Sequence, residues 1–61
     1  MEKLQVMTQG GWAYVLCAIG KRKVEITEER RHALPRKCPE LADQILREFE
    51  KDFPGNKFRL A

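Results

Sequence analysis

The 61 residues carry 43% hydrophobic and 34% charged side chains and a net charge of +3. That balance excludes a disordered chain and gives one small soluble domain, residues 1–61, whose core is marginal at this length. The longest uncharged run, Leu4 to Gly20, contains Gln and paired Gly and is too polar for a membrane span. No basic-then-apolar leader opens the sequence, so the expected compartment is the cytoplasm.

Strands come first. Trp12 to Ile19 is uncharged, bounded by Gly10-Gly11 and Gly20-Lys21, both of hairpin-turn composition. With those turns Val6 faces Val15, Leu4 faces Cys17, Cys17 faces Val24 and Val15 faces Ile26. Both registers gather Leu4, Val6, Ala13, Val15, Cys17, Ile19, Val24 and Ile26 on one side. The pattern predicts an α+β fold with a three-stranded antiparallel meander, residues 3–9, 12–19 and 22–27.

The link 28–38 comes next, with Thr27 capping a short helical turn that Pro35 stops, and Ala33 and Leu34 tucked under the core edge. A C-terminal helix is predicted over 39–53, with Pro39 at its first position and Glu40 favourable at its N-terminus. Leu41, Ala42, Ile45, Leu46, Phe49 and Phe53 fall in an arc of about 140°, a stripe that covers the apolar side of the sheet. Pro54-Gly55 ends the helix, and the alternation of Lys57-Phe58-Arg59-Leu60 predicts a short final strand over 57–60.

Charge is unevenly distributed. Lys21 to Lys37 holds seven Lys/Arg and three Glu, whereas Cys38 to Phe53 holds two basic and five acidic residues. The basic end is suited to anions; the alternative is a solvated surface whose charges pair among themselves.

The other side of the sheet carries Lys3, Gln5, Met7, Trp12, Tyr14, Leu16, Lys23 and Glu25. One helix cannot cover both sides of a sheet. An apolar centre with Trp and Tyr inside a polar rim is the anatomy of a recognition surface. The alternative is that the link folds back over part of this side.

Sites of chemistry are lacking. Gly10-Gly11 has no following lysine and helix start, so it is no phosphate loop. Cys17, His32 and Cys38 supply at most three ligands at spacings that match no common zinc motif, so no metal and no cofactor are expected. His32 has no nearby serine, and nothing orients it toward Cys38 as a base. No enzyme is expected. Two reduced thiols are favoured over a bridge or a redox switch.

The resulting expectation is a small non-enzymatic, protein-binding or regulatory module using Met7, Trp12, Tyr14, Leu16 and Lys23. Its partner is another protein or a second copy of itself, with no membrane involvement. The alternative is a nucleic-acid-binding domain using the same face and the basic 21–37 region. In that case Lys3, Lys21, Arg22, Lys57 and Arg59 hold phosphates.

Overall fold

The computed structural model describes all residues, 1–61. Strands β1 (Leu4–Thr8), β2 (Gly11–Ile19) and β3 (Lys23–Thr27) form the expected meander. A single 3-10 turn, Arg30–His32, lies in the link, and a second, Pro39–Leu41, leads into helix α1 (Ala42–Asp52). Strand β4 (Phe58–Leu60) returns beside β1, so the antiparallel sheet has the order β3-β2-β1-β4.

The first turn differs from its expected position. Thr8 opposes Gly11, so the loop residues are Gln9 and Gly10 rather than Gly10 and Gly11. The Thr8 hydroxyl explains the choice: it donates to the Gly11 carbonyl at 2.7 Å and accepts from the Gly10 N–H at 3.1 Å. Gly11 takes φ +110°, a conformation that side chains strain. Val6 therefore opposes Ala13 instead of Val15. The shift is by two, so every side chain keeps its face.

The second hairpin carries a larger correction. Val15 opposes Ile26 as expected, but Cys17 opposes Glu25 and Ala18 opposes Val24. The extra residue at Leu16 is a β-bulge, and beyond it the alternation is inverted. Cys17 and Ile19 thus leave the core side that the unbroken register assigned them, and Ile19 is 52% exposed. The turn lengthens to Gly20-Lys21-Arg22, since Ile19 pairs with Lys23. Gly20 supplies the left-handed conformation at φ +56°.

The bulge lies where β2 loses its neighbour. β1 begins at Leu4, and the link fills the gap. The Leu34 N–H donates to the Val15 carbonyl at 2.9 Å, and the Leu34 carbonyl accepts from the Leu4 N–H at 2.7 Å. The Arg36 Nη1 donates to the Leu16 carbonyl at 2.9 Å. Backbone groups that a longer β1 would have satisfied are satisfied by the link instead. Ala33 is fully buried there and Leu34 packs on the core.

The core is one-sided. Leu4, Val6, Val15, Phe53 and Phe58 form its centre, with Val24, Leu34, Ile45, Leu46, Phe49 and Leu60 packed around them. Phe58 and Phe53 join Phe49 in an aromatic cluster with ring centroids 5.6–6.4 Å apart. α1 sits over β4 and β1. It does not reach the far half of the same side, where Ile26 is 51% exposed. Leu41 also departs from the predicted stripe at 41% exposed, because it ends the 3-10 turn before the α-helix proper begins.

Backbone pairing with β1 runs beyond both ends of β4. Leu4 opposes Leu60, Gln5 opposes Arg59 and Val6 opposes Phe58. Lys3 and Ala61 exchange both backbone hydrogen bonds at 2.8 Å, and the Met7 N–H reaches the Lys57 carbonyl at 2.9 Å. The last strand thus closes the β1 edge and aims Phe58 and Leu60 into the core and Arg59 outward.

Candidate functional site

The side of the sheet away from α1 gathers Gln5 and Met7 from β1, Trp12, Tyr14 and Leu16 from β2, and Arg59 from β4. The register makes Met7 and Trp12 directly opposed neighbours, as are Gln5 and Tyr14. These cross-strand pairs form a continuous row because β1 and β2 are both internal strands. Trp12, Tyr14 and Leu16 are half-buried and Met7 is 39% exposed.

Two guanidinium groups overlie the two rings. The Arg59 carbon Cζ lies 4.1 Å from the Trp12 ring centroid, and Arg59 Nε donates to Gln5 Oε1 at 2.7 Å. Arg30 stands over Tyr14 at 5.6 Å and donates from Nη1 to the Tyr14 hydroxyl at 3.3 Å. The same Nη1 donates to the Ala61 carbonyl at 2.8 Å, and Nη2 donates to the Met1 carbonyl. One side chain of the link thereby ties both chain ends to the sheet face. The expected apolar patch is therefore a mixed one, in which each aromatic ring carries a cation held by hydrogen bonds.

Lys3 is not a surface cation. It is 5% exposed, and its ammonium donates to the carbonyls of Ala33 at 3.1 Å and Pro35 at 2.7 Å. It pins the link to the sheet instead of standing free on an open strand. Burial of a lysine is tolerable only where its protons find acceptors, and the returning link supplies them.

The other expected cations do not converge. Lys21 stands at the hairpin turn 3.8 Å from Asp52 at the end of α1, with Arg22 beside it. Lys23 lies on the outer side of β3, 3.6 Å from Glu25 of the same strand. Lys57 and Arg59 lie at the opposite edge of the sheet. A strand order that puts β3 and β4 at the two edges separates these groups.

Gln5 and Arg30 join the site without having been singled out from the sequence, and Arg31 and Arg36 lie beside it along the link. Gln5 had a signal, since it shares a strand parity with Met7. Arg30, Arg31 and Arg36 had only their basic run; their position depends on how the link returns. Cys17, turned outward by the bulge, is half-buried beside Leu16, and Cys38 is exposed; both thiols are free. No group of three or more His, Cys, Asp or Glu side chains gathers in metal-binding geometry. No helix is long and apolar enough to cross a membrane.

The arrangement can present an apolar ridge, Met7 and Trp12, with Arg59 over the indole on the β4 side and Thr27 and Glu28 beside Trp12 and Tyr14 on the β3 side. Comparison with protein-family models, with curated proteins and with solved structures finds no match to this chain.

Proposed function

We propose that the chain is a non-catalytic binding module that engages another protein through the face built from Met7, Trp12, Tyr14 and Leu16, with Lys23 at its rim. The observation that carries the reading is the Met7–Trp12 pair beneath Arg59: an exposed thioether beside a half-buried indole, both on internal strands. Trp, Tyr and Arg are the residue types that dominate binding energy at interfaces, and rigid strands reduce the ordering cost of using them.

The charges narrow the partner. Arg30, Lys57 and Arg59 at the ridge outnumber Glu28 beside Trp12 and Tyr14, so two copies meeting face to face bring mostly like charges together. A different protein, with apolar side chains flanked by Asp or Glu, fits better.

The test is capture of partners by tagged wild type and by a Met7→Asp/Trp12→Ala variant whose circular dichroism matches wild type. The expected result is one partner held by wild type and lost by the variant. Equal retention by the two proteins would remove this face as the binding site.

A further inference from the structure

The strongest unexplained feature lies beside the aromatic face, at the end of the sheet where the link crosses β1 and β2. Lys3, Arg30, Arg31 and Arg36 line one shallow, largely open concavity together with Met1, and no acidic residue lines it. Four cations in one hollow repel one another unless something neutralises them.

Their partners do not do so. Lys3 and Arg30 are held by backbone carbonyls and the Tyr14 hydroxyl, and Arg36 Nη1 by the carbonyls of Leu16 and His32. Carbonyls fix the positions of Lys3 and Arg36 without cancelling their charge. The side-chain ion pairs of the molecule are Lys21–Asp52, Lys23–Glu25 and Arg31–Glu29, so of the four only Arg31 has a side-chain carboxylate, at 3.3 Å. That pair is solvent-exposed on both sides and binds weakly.

Donor capacity remains. An ammonium has three protons and Lys3 uses two of them. Arg36 engages only one of its three nitrogens, and Arg31 leaves both terminal nitrogens unengaged. Three guanidinium groups and a buried ammonium around one open concavity, with Lys3, Arg30 and Arg36 held by hydrogen bonds and Arg31 free to swing, suit a ligand with several charged oxygens.

We propose that this concavity binds phosphate groups, one to three in a chain, through Lys3, Arg31 and Arg36, with Arg30 contributing its charge. The site is distinct from the Met7–Trp12 ridge and does not depend on it. Two sources share the chemistry: a small free polyphosphate and the backbone of a nucleic acid.

The experiment is calorimetric titration with inorganic phosphate, pyrophosphate, tripolyphosphate and a short single-stranded oligonucleotide, each at two salt concentrations. The protein is used as wild type, Arg31→Gln/Arg36→Gln and, as a control, Trp12→Ala. Both altered arginines are exposed, and thermal melting verifies that the double variant folds. Saturable binding of pyrophosphate or tripolyphosphate to wild type and to Trp12→Ala, weakened about tenfold or more in the double variant, is the expected result.

Tight binding of the oligonucleotide alone, steeply reduced by salt and lost in the double variant, assigns the same site to a nucleic-acid backbone. Absence of binding to every probe overturns the proposal. So does binding that the double variant retains, since the anion then sits elsewhere. Loss in Trp12→Ala while the double variant binds normally would overturn it too, and would place anion binding on the aromatic ridge.

Discussion

The two sides of this sheet are built on different physics. Toward α1, Leu4, Val6, Val15, Phe53 and Phe58 exclude water by packing alone. Away from α1, Trp12 and Tyr14 are half-covered by Arg59 and Arg30, and the coverage is held by directed hydrogen bonds. Apolar burial grows with the area removed from water. Guanidinium–ring contacts at exposed positions are worth only about 0.5–1 kcal/mol each. The first side therefore holds the fold, and the second can exchange its contacts for those of a partner at small cost.

The sharpest break of this contrast is Phe53→Ala. It removes a buried ring from the aromatic cluster and should cost about 3–5 kcal/mol, enough to unfold much of so small a domain; urea denaturation followed by circular dichroism measures it. A smaller loss, about 1–3 kcal/mol, is expected for Lys3→Met, which leaves the Ala33 and Pro35 carbonyls without their donor. The same denaturation curves report that value, and a change near zero would mean that water replaces the ammonium.

How much of this contrast was legible in the sequence follows from where each signal resides. The alternation of Leu4 and Val6, of Ala13 and Val15, and of Val24 and Ile26 located the core side correctly, as did the helical spacing of Ile45, Leu46, Phe49 and Phe53. The bulge at Leu16 was not legible, because a run that is apolar on both parities looks the same with one residue inserted. The hydroxyl of Thr8 chose the first turn over a glycine pair that offered two equivalent positions. Lys3, Arg30 and Arg59 owe their roles to segments far along the chain, and no local pattern records which carbonyl or ring a cation will meet.

Arg30→Ala sharpens the contrast from the other side. It releases the Met1 and Ala61 carbonyls and the Tyr14 hydroxyl, so both chain ends should fray while the core stays intact. Amide hydrogen exchange is expected to accelerate at the ends of β1 and β4 and to stay slow at Val15; uniform acceleration would show that Arg30 supports the whole fold. Arg59→Ala should have the least effect on stability, about 0.5–1 kcal/mol. It should also shift Trp12 fluorescence to the red, as the indole loses its cover; an unchanged spectrum would mean that the guanidinium does not shield the ring.

The division of labour between the two sides is tested most directly by equilibrium urea unfolding of Trp12→Ala beside Phe53→Ala under the same conditions. Trp12→Ala is expected to lose less than half the stability that Phe53→Ala loses, with a cooperative transition preserved. An equal or greater loss in Trp12→Ala would make the outer face part of the structural core, and would contradict its availability for a partner.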